Sequence, residues 1–124
     1  MHATTTCEFG EIILVGFPFT NLQSSKKRPA VVISSKAYNR QRDDVILLAI
    51  TSQLHPSMGF GDCRIEDWKS AGLLKESVFK PLIATIDKSR LMGRLGRLAS
   101  QDLWKMTNLL QSVLGEGAEE TFDE

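Results

Sequence analysis

The chain has few of the residues that metal centres, disulfide frameworks and membrane spans require. It has two cysteines and two histidines. Without a secretory signal, the cysteines are expected to be free thiols in a reducing cytosol. His2 and His55 do not complete a zinc site with them, so no metal or cofactor is expected, and His55 is expected at the surface. No apolar run approaches the roughly 18 residues of a membrane span, which predicts a cytoplasmic protein without a membrane partner.

The familiar catalytic motifs are absent too. The chain has no Walker loop, no dinucleotide-binding glycine fingerprint, no HExxH and no nucleophile elbow. Asp43 and Asp44 are adjacent, so they would point to opposite faces of a strand rather than act as a carboxylate pair. The Ser34–Ser35 and Thr51–Ser52 hydroxyls have no histidine at a recognisable spacing. These absences give no support to a nucleotide hydrolase, a metalloprotease or a serine hydrolase.

Charge is balanced overall but unevenly distributed. Residues 26–97 contain 14 of the 15 Lys and Arg but only 7 of the 15 Asp and Glu, a net charge of +7. The flanking residues carry the compensating −7, and residues 116–124 alone hold five acids. A basic body attracts polyanions, although a solvated surface of mixed charge would also fit this distribution. The acidic end is expected to be a disordered tail after a single domain spanning residues 1–115.

Short segments rich in β-branched and aromatic residues predict five strands. They cover residues 11–19, 29–34, 43–51, 77–86 and 88–98. Pro29 is confined to the beginning of its strand, and Pro81 predicts an edge or a bulge. The third strand, "DDVILLAIT", is apolar at nearly every position and should be buried on both faces.

Two helices are expected. A short one is predicted over residues 65–72, closed by Gly72. The second should begin with Ser100 as its N-cap, stop at Gly115 and bury one apolar stripe, formed by Leu103, Met106, Leu110, Val113 and Leu114. The absence of a βαβ rhythm predicts a mostly β, α+β fold, a small antiparallel barrel or curled sheet with helices packed on it.

One pair of residues stands out in this arrangement. Arg28 precedes the second strand and Thr51 ends the third, and consecutive strands are usually neighbours. In an antiparallel pair these two ends meet, so a guanidinium and a hydroxyl would converge at one place, which suits a phosphate.

The chain resembles the PemK/MazF family of toxins from type II toxin–antitoxin systems, from Gly10 to Leu114. The resemblance is carried by "GEIILVGFPFTNLQSSKKRPAVVIS", "DVILLAITSQ", "DWKSAGLLKESV" and "ATIDKSRLMGRLGRLA" in this order, and by the closing helix. It implies a homodimeric, SH3-like barrel with a C-terminal helix. It also implies metal-independent, sequence-specific cleavage of single-stranded messenger RNA by the ribose 2′-hydroxyl, which stops growth and leaves a 2′,3′-cyclic phosphate and a 5′-hydroxyl.

The resemblance also implies partners and site residues. A cognate antitoxin would cover the RNA groove, and DNA would be bound only through that antitoxin. Arg28 matches the arginine of the family's R-P motif and Thr51 the hydroxyl residue of its I-[TS]-S motif, so these two are the expected catalytic residues. The expected RNA-binding residues are Phe17, Asn21, Lys26, Lys27, Ser52, Gln53 and Lys80.

The chain departs from the family pattern in one place. Some members carry an arginine and an aspartate in the fourth strand for acid–base work, where this chain has Phe79 and Pro81. The general base and acid are therefore unassigned. Two alternatives stay open: a barrel toxin that acts by binding protein, as gyrase poisons do, and an inactive regulatory homologue.

Overall fold

The computed structural model describes residues 7–16, 27–55 and 58–115. Its strands are β1 (Glu11–Val15), β2 (Arg28–Val32), β3 (Asp44–Thr51), β4 (Cys63–Arg64), β5 (Val78–Asp87) and β6 (Leu91–Arg97). Its helices are α1 (Lys36–Gln41) and α2 (Ser100–Val113), and a single 3₁₀ turn spans Lys88–Arg90. The strands form one antiparallel sheet in the order β4-β5-β3-β2-β1-β6. The predicted α+β class is confirmed, and the sheet is an open barrel.

Apolar side chains cover both faces of this sheet. One cluster lies between the sheet and α2, and its fully buried members include Ile12, Val31, Leu48, Phe79 and Met106. The second cluster lies on the opposite face and is formed by Cys7, Ile13, Val15, Ala30, Val32, Val45, Leu47, Ala49 and Ile86. Strand β3 contributes to both clusters, which confirms that it is buried on both faces. Cys7 and Cys63 are free, as expected, and burial raises the pKa of both thiols.

Helix α2 differs from its prediction at both ends. It begins at Ser100, so Ala99 occupies the N-cap position and makes no side-chain capping hydrogen bond. Four residues of the predicted stripe do contact the core, but Leu114 follows the helix and is 53% exposed. Leu109, which the pattern missed, is buried in its place. Among the described residues, no helix is both long and apolar enough to cross a membrane.

The segment predicted as a helix over residues 65–72 is a series of turns, so that prediction is wrong. The buried carboxylate of Asp102 accepts hydrogen bonds from the backbone amides of Glu66 and Asp67, both at 2.8 Å. The end of this turn segment then lies against β6. A Cβ on Gly72 would be 2.3 Å from the Leu95 carbonyl oxygen, and one on Gly96 would be 2.4 Å from that of Ala71. Contacts with α2 and β6 therefore shape the segment in place of local helix propensity.

Strand β5 carries the irregularity that Pro81 predicts. Its register with β3 shifts between the pairs Leu48–Ile83 and Ile50–Phe79, and Pro81 lies within the shift. The bulge is confirmed. Helix α1 and the two-residue β4 were not predicted from the sequence. Ser35 caps α1 by accepting a hydrogen bond from the Tyr38 amide.

Candidate active site

The candidate site lies where β2 begins and β3 ends. These strands pair in the register Ala30–Ala49, Val31–Leu48 and Val32–Leu47. The same register, continued for two residues beyond the Ala30–Ala49 pair, would put Arg28 opposite Thr51. Facing residues of an antiparallel pair have Cβ atoms about 5 Å apart, so a continued register would put the two side chains on one face at one end of the sheet. The convergence predicted from the sequence is therefore consistent with the observed pairing.

Arg28 is held by its neighbours on both sides. It is half-buried, Pro29 follows it, and it pairs with Val15 on β1. Its Nε atom is buried, and no hydrogen-bond partner for it is found in the part of the chain that the structure describes. A buried N–H without a partner is costly, because the group has lost its hydration without gaining a new bond. An anion at this place would remove that cost.

The Thr51 hydroxyl is oriented by the backbone that follows it. Its Oγ1 accepts a hydrogen bond of 3.1 Å from the Gln53 amide, and Thr51 itself is half-buried at the end of β3. A hydroxyl can donate one hydrogen bond while it accepts another. Thr51 can therefore accept from Gln53 and still donate its proton to an oxygen placed beside Arg28.

The remaining predicted RNA-binding residues fall into two groups. Lys27, Ser52 and Gln53 are exposed and flank the pair directly in the sequence, so they border the same end of the sheet. Phe17, Asn21 and Lys26 lie outside the described residues. His55, expected at the surface, is exposed.

Lys80 lies on β5, the strand next to Thr51, and it has a partner. Its ammonium is 3.0 Å from Asp62 Oδ2, and the Gly59 amide donates to the same oxygen at 2.9 Å. Burial alone would raise the pKa of the Asp62 carboxyl. The hydrogen bonds from Lys80 and Gly59 outweigh this effect and leave the pKa below its usual value. Any contact between Lys80 and a ligand would have to share the ammonium with Asp62.

This arrangement predicts how stability depends on pH. In the unfolded chain an Asp carboxyl titrates near pH 3.9, and in the folded protein the pKa of Asp62 is lower. The interaction of Asp62 with Lys80 therefore stabilises the fold fully above about pH 5, and this stabilisation is lost as the pH falls through the folded pKa. Asp62→Asn should cost about 1 kcal/mol at pH 7, and this cost should shrink as the pH falls through the folded pKa of Asp62. Melting temperatures measured across this range test it. Asp43→Asn, at an exposed position, is the control. If the difference in melting temperature between the wild type and Asp62→Asn does not change with pH, the assignment is contradicted.

The structure gives no acid–base group at the positions where some family members carry one. Phe79 is fully buried in the core beneath α2, and Pro81 is exposed in the β5 bulge. Among the described residues, no three His, Cys, Asp or Glu side chains are grouped as a metal site requires. Sequence reasoning also missed a basic cavity beside Arg28, formed by Gly16, Lys27, Ser89, Arg90, Leu91 and Met92. The pairing of β1 with the distant β6 creates this cavity, and no local motif indicates it.

The chain is similar to known proteins in sequence and in fold. A family model described as the PemK-like, MazF-like toxin of type II toxin–antitoxin systems matches residues 8–114. None of the curated proteins matches the chain. A mycobacterial endoribonuclease in complex with its cognate antitoxin is 19% identical with a TM-score of 0.71, covering 87% of this chain and 94% of that one. MazF from Deinococcus radiodurans is 21% identical with a TM-score of 0.71, covering 91% and 100%. These structures share the fold.

Proposed function

The chain belongs to the PemK-like, MazF-like family of toxins from type II toxin–antitoxin systems. We propose that it is a metal-independent endoribonuclease that cleaves single-stranded RNA, with Arg28 and Thr51 as its catalytic residues. The observation that carries the proposal is the buried Nε of Arg28, which has no hydrogen-bond partner among the described residues and lies on a strand whose register leads toward Thr51. The endoribonuclease activity of proteins with the same fold supports it.

The chemistry is an in-line transesterification. The ribose 2′-oxygen attacks the adjacent phosphorus, its proton leaves to a base, and the bond from phosphorus to the 5′-oxygen breaks. The leaving oxygen takes up a proton, so the products are a 2′,3′-cyclic phosphate and a 5′-hydroxyl. RNA thus supplies its own nucleophile.

The protein's task in this reaction is to stabilise charge. Negative charge grows on the phosphoryl oxygens in the transition state, and preorganised donors there lower the barrier. Arg28 supplies a fixed positive charge and Thr51 a hydroxyl donor. An arginine holds its proton at neutral pH, which makes it a poor general base. The proposal therefore gives Arg28 an electrostatic role, and the group that accepts the 2′-proton is unassigned.

The proposal includes partners. The +7 body attracts RNA, and its sequence preference would depend on the residues around the cut. We propose a homodimer inhibited by a cognate antitoxin, which would also provide the link to DNA. Support comes from proteins of this fold that are found with an antitoxin, including a MazE–MazF complex from Deinococcus radiodurans.

Incubation of the purified protein with a long single-stranded RNA in EDTA tests this function. We expect cleavage with and without the chelator, fragments that end in 2′,3′-cyclic phosphate, and complete protection of a mapped linkage when its 2′-hydroxyl is replaced by hydrogen. Mass spectrometry of the fragments identifies the ends. Activity that EDTA abolishes and Mg²⁺ restores, or cleavage of the deoxy linkage, would contradict the mechanism. Inhibition of gyrase without RNA cleavage would favour the protein-binding alternative.

A further inference from the structure

A second cationic feature lies beside Arg28, on the side away from Thr51. Val15 pairs with Arg28 on β2 and with Leu91 on β6, so these two residues lie on either side of β1. Neighbouring strands are about 4.8 Å apart, which puts the beginning of β6 about 10 Å from Arg28. The cavity formed by Gly16, Lys27, Ser89, Arg90, Leu91 and Met92 opens at this place, with a volume of about 470 Å³.

The size and lining of the cavity suit a nucleotide. Binding pockets for small organic ligands measure about 300–1,000 Å³ and combine apolar surface with a few polar groups. Here Lys27 and Arg90 supply two positive charges, and Leu91 and Met92 supply apolar surface. Across residues 7–16, 27–55 and 58–115, no carboxylate lies within ion-pair distance of Lys27 or Arg90. Both cations are therefore available to a phosphate.

The turn that carries Arg90 is fixed from within. Asp87 caps the Lys88–Arg90 turn by accepting a hydrogen bond of 2.8 Å from the Ser89 amide. Hydrogen bonds from the backbone and the side chain of Ser89 keep the pKa of Asp87 below its usual value, and the positive charge of Arg90 makes a smaller contribution. The Lys88 ammonium donates to the Asn39 carbonyl and ties the beginning of the turn to α1. Arg90 thus extends from a braced turn.

We propose that this cavity binds the nucleotide next to the scissile linkage, with Lys27 and Arg90 on its phosphate and Met92 against its base. The proposal rests on the proposed ribonuclease function. It gives the RNA a direction across the sheet, from Thr51 on β3 through Arg28 on β2 to the turn before β6. Lys27 joins the two sites because it directly precedes Arg28. Apolar contact with the base makes the cavity a place where sequence preference can arise.

The test compares Arg90→Ala and Met92→Ala with Arg97→Ala. Arg97 lies at the other end of β6, about 20 Å from Leu91, and its loss changes the net charge as Arg90→Ala does. RNA affinity is measured by fluorescence polarisation across a salt series, and cleavage of the same RNA is measured in parallel. Arg90→Ala should weaken binding about tenfold with little change in the rate at saturating RNA. It should also lower the log–log salt slope by about 0.7, because one phosphate contact is lost.

Trimming the RNA gives the sharper readout. Around a cut mapped with the wild type, oligonucleotides are shortened one nucleotide at a time from each side. Removal of the nucleotide that occupies the cavity should weaken RNA binding by the wild type about tenfold. The same removal should not further weaken RNA binding by Arg90→Ala or Met92→Ala, because these variants have already lost the contact. Arg97→Ala should respond as the wild type does.

Each other outcome has a definite meaning. If the wild type cleaves RNA and Arg90→Ala and Met92→Ala behave as Arg97→Ala does, the cavity does not bind the RNA. The proposed ribonuclease function would be unaffected by this result. RNA binding without cleavage would refute the ribonuclease function. The RNA affinities of the variants would still show whether the cavity binds RNA. A wild type that neither binds nor cuts RNA overturns both. An Arg90→Ala variant that weakens binding of a poly-glutamate peptide but not of RNA would assign the cavity to an acidic peptide.

Discussion

Arg28→Ala is expected to slow RNA cleavage by about 10²–10³-fold while the protein keeps its fold and most of its RNA affinity. The variant removes a fixed cation beside the phosphate where the transition-state charge develops, and one preorganised donor of this kind has an effect of that size. Stability should change little, because the Arg28 side chain is half-buried and its Nε has no partner among the described residues to lose. Single-turnover cleavage and thermal unfolding of the same preparation measure both effects.

Two controls separate this role from a general loss of positive charge. Arg97→Ala removes the same charge from β6 and breaks an exposed ion pair with Glu8 and a 3.5 Å hydrogen bond to the Phe9 carbonyl, both far from Arg28, so it should cut RNA at nearly the wild-type rate. Arg28→Lys keeps the charge but loses the planar fork of donors, so it should fall between wild type and Arg28→Ala. Cleavage by Arg28→Ala within a few-fold of wild type would exclude Arg28 from the site.

Gly72→Ala is expected to have the largest effect on stability. Gly72 has a φ of +90°, where a residue with a Cβ is strained, and this Cβ would be 2.3 Å from a backbone oxygen of β6. Strain and overpacking together should cost about 2–5 kcal/mol, a large share of the 5–15 kcal/mol of a typical domain. The melting temperature should fall by roughly 10 °C or more.

Gly59→Ala is the matched control. Among the residues that the structure describes, its Cβ would meet only Asp62 Oδ2, at an ordinary 3.5 Å. This substitution should change the free energy of unfolding by less than about 0.5 kcal/mol. Equal melting temperatures for Gly72→Ala and Gly59→Ala would show that the turn segment can move away from β6 at little cost, and would contradict the prediction.

The elements that the sequence predicted correctly are those whose cause is local. Alternating and continuous apolar runs marked β1, β2, β3, β5 and β6, and the helical stripe marked α2. The wrong helix over residues 65–72 was predicted from the local pattern, whereas the observed turns make distant contacts that no local pattern shows. The backbone amides of Glu66 and Asp67 bind Asp102 on α2, and Gly72 packs against the backbone of β6. Helix α1 and β4 were missed because six and two residues are too short for a periodic signal.

The candidate site divides in the same way. The sequence predicts that Arg28 and Thr51 lie close together because Arg28 begins β2 and Thr51 ends β3, and because antiparallel pairing of consecutive strands is common. The ion pair between Lys80 and Asp62 joins residues that are 18 positions apart in the sequence, and no sequence pattern predicts it. The cavity around Arg90 requires the pairing of β1 with β6, the first and last strands along the chain, which no local motif specifies.

The most direct measurement of the central claim, that Arg28 and Thr51 act on one phosphate, is a double-mutant cycle. Single-turnover cleavage of one mapped RNA linkage is compared for wild type, Arg28→Ala, Thr51→Ala and the double variant, with RNA saturating throughout. Groups that stabilise the same transition-state charge are not additive. The double variant is expected to be at most a few-fold slower than Arg28→Ala alone. Losses that multiply, so that the double variant is slower by the product of the two single effects, would contradict it.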